Sequence, residues 1–196
     1  MKNLIALFLL AFLLLGFRAK AQSGAVASIG LSLMQTDNPD VSSDGNFNHG
    51  FHLSLTTRLG KDFWYLRTGA EVHKIELKAN SKVVLFPQDP SAFFLKIPAQ
   101  IGARIINTSL FKVRLLAGAQ LTYLMHIEDN NFNLNHDTMT DFQGGLLFGG
   151  GIDLGPFTFD INFERGLTKL YKPSDKKADF LMFSGGFFFL TFTGYL

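Results

Sequence analysis

From residue 24 onward the chain alternates apolar and polar side chains with a period of two, in blocks separated by polar segments. Side chains alternate across a β-strand, so each block predicts a strand whose two faces meet different surroundings. The block FFLKIPAQIGARI (93–105) shows the pattern well. Phe93, Leu95, Ile97, Ala99, Ile101, Ala103 and Ile105 share one parity, and Phe94, Lys96, Pro98, Gln100, Gly102 and Arg104 the other. The same split recurs at Gly24–Met34, Gly50–Leu59, from Phe63 to about His73, Leu110–Leu124, Phe142–Asp153, Phe157–Gly166 and from about Asp179. Eight strands of about 9–13 residues are therefore predicted, close to the roughly 9–11 tilted residues that span a bilayer as β-structure.

The connections carry a second pattern. Tight turns are expected at Gly60-Lys61-Asp62, Asn107-Thr108-Ser109 and Leu154-Gly155-Pro156, and they alternate with long polar segments near 35–49, 74–92, 125–141 and 168–177. Outer-membrane barrels have this asymmetry, with short periplasmic turns and longer outer loops. A lipocalin-like barrel would have an apolar inside and a polar outside. Here the bulky apolar parity is nearly free of charge, while the opposite parity is too rich in Arg, Lys, Asp and Glu for a dry ligand pocket. The expected fold is an all-β, eight-stranded antiparallel up-and-down transmembrane barrel with a side-chain-filled lumen. Pro98 donates no ladder hydrogen bond, so a bulge or a missing bond is expected beside it.

The N-terminus reads as an export leader. Lys2 precedes an apolar run from Leu4 to Leu15, and an A-x-A site ends at Ala21. The run is shorter than the roughly 20 residues of a spanning helix. Residues 1–21 are expected to be a signal peptide and 22–196 the barrel domain. The leader also changes the charge balance. Three of the 18 basic residues (Lys2, Arg18, Lys20) lie in it, so about 175 mature residues carry 15 basic against 16 acidic groups. No nucleic-acid partner follows from that balance. The chain has no cysteine, which excludes disulfides and a lipoprotein signal.

With these features in hand, the chain resembles the PorT-like outer-membrane β-barrel domain of Bacteroidota, an OmpA-sized barrel. The resemblance covers nearly the whole mature chain. It rests on YLRTGAEVHK (65–74), FFLKIPAQIGARI (93–105), VRLLAGAQLTYLM (113–125) and DFQGGLLFGGGIDLGPFTFDINFERGLTKL (141–170). It implies insertion in the outer membrane of a Gram-negative bacterium. Some family members are accessory parts of type IX secretion and gliding machinery. The resemblance carries no catalytic residue. Such barrels usually end on an aromatic residue, whereas this chain ends Thr193-Gly194-Tyr195-Leu196. The last strand is therefore expected to stop near Phe189 or Phe192, with its register ambiguous because both parities are apolar.

The inward parity gathers Arg58, Arg67, Lys96, Arg104, Lys112 and Arg114 with Glu71, Asp153, Asp160 and Glu164. An eight-stranded barrel is just wide enough for side chains to fill it, and isolated buried charge is costly. These groups are expected to form a structural network that plugs the lumen, and no stable conductance is expected. Lys74 and Arg165 stand on the outward parity at the loop ends of their strands, candidates for lipid-headgroup contacts. Trp64, beside Phe63 and Tyr65, and Tyr123 at the opposite end fit an aromatic girdle.

Three further motifs have bland readings. GGLLFGGG (144–151) lacks the lysine and the helix of a phosphate loop, so its glycines are expected to relieve crowding beside bulky aromatics. HIEDNNFNLNHD (126–137) matches no zinc or calcium spacing and reads as a solvated loop. His52 and Ser54, with Glu71 or His73 nearby, offer the parts of a lipid-modifying hydrolase, but any polar lumen offers such pairs by chance. The expected function is a non-enzymatic envelope barrel without cofactor or metal. It would be a small subunit of a larger outer-membrane secretion or assembly complex, or alternatively a free-standing barrel binding through its outer loops. Expected partners are outer-membrane lipid, lipopolysaccharide and other envelope proteins.

Overall fold

A computed structural model describes residues 23–36, 47–60, 63–77, 90–131, 133–172 and 177–192. The leader assigned to 1–21, most of the segments 35–49 and 78–89, the turn residues Lys61 and Asp62, and the tail 193–196 lie outside the described residues.

Eight strands close into one antiparallel barrel in sequence order: β1 (Ser23–Thr36), β2 (Asn48–Leu59), β3 (Trp64–Glu76), β4 (Ser91–Asn107), β5 (Phe111–Ile127), β6 (Phe142–Leu154), β7 (Phe157–Gly166) and β8 (Ala178–Phe192). β8 pairs back onto β1, so no edge is left and the ladder satisfies backbone groups without water. The parity read from the sequence is the parity of the wall. Ile29, Leu53, Leu55, Val72, Ile97, Ile101, Leu115, Leu121, Phe148, Phe159 and Ile161 project outward and are exposed, while Arg58, Arg67, Lys96, Arg114 and Asp160 project inward and are buried. Such a wall suits hydrocarbon rather than water. Trp64 is exposed at the short-turn end, edge-on to Phe63 at 4.8 Å. At the loop end Tyr123 and Phe142 lie 4.9 Å apart.

Several strands run longer than the sequence pattern indicates, up to 17 residues in β4 and β5. Three irregularities set the inward and outward sequence. The β4–β5 register shifts between Phe93 and Phe94 and again between Arg104 and Ile106, and the β1–β8 register shifts between Ala25 and Val26. The last of these adds a residue to β8. Ala25 pairs with Leu190 and Val26 with Phe188, so Phe189 is the extra residue. Phe180 and Met182 face in opposite Glu164 and Asn162 of β7, and the strand continues to Phe192.

Pro98 produces no bulge. It keeps register with Gln120 on β5, and on the β3 side the pairing lapses between Thr68–Ala99 and Glu71–Lys96 and resumes unshifted. The lost donor removes pairs on one side without adding a residue. At the tight turn between β6 and β7 Gly155 has φ 57°, the left-handed region that glycine enters without a Cβ clash.

Candidate functional site: the filled lumen and its outer cap

The lumen has two regions. Toward the short turns it is charged. Asp160 on β7 accepts from Arg114 Nη1 at 2.9 Å and lies 3.4 Å from Arg58 and 3.9 Å from Arg67. Asp153 on β6 takes Arg58 at 3.0 Å and Arg114 at 2.9 Å. Thr158 Oγ1 accepts from both guanidiniums, at 2.9 Å from Arg58 and 2.7 Å from Arg114. Planar guanidinium forks suit this bridging of several acceptors. Arg104 lies over the Tyr65 ring at 4.6 Å and donates to the Gly60 carbonyl at 3.1 Å. Lys112 is also turned inward and buried, its Cα paired with that of Asp153 on the next strand.

In mid-barrel Lys96 donates to Glu164 at 2.5 Å, and its ammonium lies 3.2 Å from the centre of the Phe180 ring. Glu71 links Arg67, at 3.6 Å, to His73, at 3.1 Å. The rings of His73 and His52 stack 4.7 Å apart, and Ser32 Oγ lies 2.9 Å from the Nδ1 of each. His52 Nε2 reaches Ser184 Oγ on β8 at 2.8 Å. The Lys96–Glu164 pair crosses the lumen from β4 to β7, and the histidine cluster ties together the inner faces of β8, β1, β2 and β3.

The glycines of β6 make room for this network. Gly151 pairs with Asp160 and Gly149 with Asn162, and a Cβ on either would fall within 2.3 Å of the partner's side-chain oxygen. One on Gly145 would strike Glu164 at 2.7 Å. These glycines therefore relieve crowding among inward polar groups, not beside the outward aromatics as the sequence suggested. Gly102 does the same on β4, where the Tyr65 ring lies flat over its cross-strand partner, 2.1 Å from where a Cβ would stand.

The outer end departs from a polar lumen. Met34, Ile75, Phe94, Leu124, Leu147, Phe180 and Met182 point inward near the loops and form one apolar cluster. The loops complete it from above with Leu134 and Met139 of the β5–β6 loop and Leu170 and Tyr171 of the β7–β8 loop. The two loops are joined by a Met139–Tyr171 bridge, by Thr140 N–H to Leu170 O at 2.9 Å and by Lys172 N–H to Thr138 O at 2.8 Å. The segment 126–137 is thus a partly buried lid rather than a wholly solvated loop. His126 belongs to β5 beside Phe93, whereas His136 pairs with Asp141 at 2.7 Å. The two histidines do not converge, and the described residues hold no metal-binding cluster. The His136 hydrogen bond, followed by nearby Lys172, holds the Asp141 carboxyl below its ordinary range.

The hydrolase parts are arranged otherwise than expected. Ser54 bonds Ser28 at 2.5 Å and not His52. A Ser32–His73–Glu71 relay does exist, but Ser32 and His73 are fully buried and a second histidine shares the serine. The cavity beside it, lined by His52, Glu71, Gln120 and Ser184 among others, holds about 10 Å³. That is room for about one water and for no lipid. Of the rim candidates, Lys74 is half-buried against Glu128 at 3.2 Å and over the Phe93 ring at 5.3 Å, and Arg165 stands exposed at the loop end of β7.

Solved structures share this architecture. Neisserial surface protein A is 13% identical, with 87% of this chain and 100% of that one covered at a TM-score of 0.50. OprG of Pseudomonas aeruginosa is 13% identical, with 89% and 99% covered at 0.50. Ail of Yersinia pestis is 17% identical, with 85% and 98% covered at 0.46. Identities this low speak to the fold alone. No curated protein matches in sequence. The family model described as outer membrane protein beta-barrel domain matches residues 16–172, and the chain belongs to that family of the outer membrane.

Proposed function

We propose that this barrel is a closed, non-enzymatic component of the cell envelope, acting through its outer loops and lipid-facing wall as a small accessory subunit of an outer-membrane secretion or assembly complex. The observation that carries the reading is the double closure of the lumen. A bonded charge network fills its lower part and an apolar cluster roofs it. Among the described residues the lumen cavity beside the histidines holds about 10 Å³, which leaves contacts on the outside for function. The likeness of residues 65–74, 93–105, 113–125 and 141–170 to PorT-like barrels of Bacteroidota supports the accessory role. In this reading residues 1–21 are the export leader, and Arg58, Arg67, Glu71, Lys96, Arg104, Arg114, Asp160 and Glu164 hold the plug. Lys74 and Arg165 meet headgroups of outer-membrane lipid or lipopolysaccharide. The buried Ser32–His73–Glu71 relay serves packing, because a lipid ester has no route to it.

A gentle affinity pull-down from the native envelope tests the proposal. A stoichiometric envelope partner supports it, and a barrel recovered with lipid alone overturns it in favour of a free-standing surface-binding barrel. The joined β5–β6 and β7–β8 loops favour that second reading, since they present an ordered platform.

A further inference from the structure

The lipid-facing wall is not uniformly convex. Beneath the β5–β6 loop a groove of about 610 Å³ opens in it, within the roughly 300–1,000 Å³ of small-molecule sites. Leu95 and Ile97 of β4, Leu121 and Tyr123 of β5 and Phe142 of β6 line it. Its polar end is formed by His136 and Asp141. The trough is therefore amphipathic along its length, apolar in the wall and charged at the loop rim.

The register accounts for the hollow. Ile97 pairs with Leu121, and Leu121 with Gly144. Gly144 faces outward, and a Cβ there would meet nothing nearer than Thr168 Cγ2 at 4.0 Å. The row Ile97–Leu121–Gly144 thus ends in open space, while the row above ends in the tilted Tyr123 and Phe142 rings. At the rim His136 Nδ1 bonds Asp141 at 2.7 Å, and Lys172 donates to the His136 carbonyl. The Lys172 ammonium therefore stands directly behind His136, next to the groove's lining.

We infer that this groove seats one acyl chain of an outer-leaflet lipopolysaccharide, with the phosphate and sugar of its headgroup at Lys172, His136 and Asp141. The occupant follows from position and charge. The groove is continuous with a wall immersed in hydrocarbon, so a lipid chain is its natural neighbour. It opens at the long-loop end, which assigns the chain to the outer leaflet. Its rim offers a cation for phosphate and a carboxylate–imidazole pair for sugar hydroxyls. The inference rests on the lipopolysaccharide contact proposed above, and it moves the principal contact from Lys74 and Arg165 to the groove.

The test is native mass spectrometry of the full mature barrel, extracted in mild detergent and offered lipopolysaccharide or phospholipid. The heat-dependent gel shift of a folded barrel serves as a folding control. The wild type is expected to retain one lipopolysaccharide. Leu121→Trp, which fills the trough, and Lys172→Glu, which reverses the rim charge, are each expected to lower retention about tenfold, equivalent to roughly 1.4 kcal/mol. Ile29→Trp on the far wall is expected to leave it unchanged. If Leu121→Trp fails the folding control, Lys172→Glu decides on its own. Retention that survives the groove variants but falls in Lys74→Gln with Arg165→Gln overturns the groove and leaves the broader contact standing. A wild type that holds only phospholipid, or nothing, overturns both.

Discussion

The two ends of the lumen achieve closure by opposite chemistry. Near the short turns Arg58, Arg67 and Arg114 converge on Asp153 and Asp160, and each group is acceptable there only because its partners are present. Near the loops Phe94, Leu124, Phe180 and Tyr171 are interchangeable in kind and hold by volume. A charged plug is specific and brittle, because one missing partner leaves buried charges short of a counterion. An apolar roof is tolerant, because its neighbours can settle into a gap. The contrast predicts that single substitutions hurt the lower region more than the upper.

The sharpest attempt to break this comparison is Asp160→Ala. It takes one carboxylate from three buried guanidiniums, leaving Arg58 and Arg114 to share Asp153 and Arg67 to rely on Glu71, and about 3–5 kcal/mol of stability should go, read as the shift of the urea midpoint of the refolded barrel. Phe94→Ala in the roof is expected to cost about 3 kcal/mol, at the low end for a buried Phe because the loops can collapse. Its conductance in planar bilayers should stay at zero, since the charged plug remains below. Reproducible single-channel steps from this variant would show that the roof is the only seal. Lys96 and Glu164 refine the charge side. Lys96→Met on its own leaves Glu164 unpaired and destabilises by about 3 kcal/mol, whereas Lys96→Met with Glu164→Leu recovers most of the loss. A double variant no better than the single would mean that the pair is not the relevant unit.

The smallest effect concerns the lid. Asp141 is partly exposed, and its folded-state pKa lies below the ordinary value. Its contribution is therefore present above the usual carboxylate pKa of about 4 and disappears as pH falls through the folded value. The NMR signals of Thr138 and Met139 should hold steady from pH 7 to 5 and move only below about pH 4. Movement that is complete above pH 5 would instead mean that Asp141 is not the anchor.

The wall was legible and the interior pairing was not, for one reason. A period of two survives in a single strand, so outward Ile97 and inward Lys96 declare themselves in sequence. The alternation of tight turns with long segments fixed which end faces out. Which cation meets which acid depends on the geometry of closure, and Arg58 and Asp160 stand on strands far apart in the chain. The apolar roof was hidden twice. Leu134, Met139, Leu170 and Tyr171 lie in segments that read as polar loops, and Phe180 and Met182 sit where both parities are apolar. Only the pairing with β7, Phe180 opposite Glu164 and Met182 opposite Asn162, settles that strand's phase. The β6 glycines were visible, but their neighbours across the ladder were not.

The contacts that span the lumen also act on time. Arg58 reaches Asp153 and Asp160, 95 and 102 residues away, and His52 reaches Ser184 across 132. None of these can form in a hairpin or an open sheet. They become available only when β8 meets β1, so the largest internal gain should arrive at the last step. Contacts so distant in sequence slow folding and bind the end of assembly to its beginning. A partly zipped sheet would carry unpaired arginines facing the bilayer and would be unstable there. The plug is thus also a seam latch, expected to make insertion nearly all-or-none.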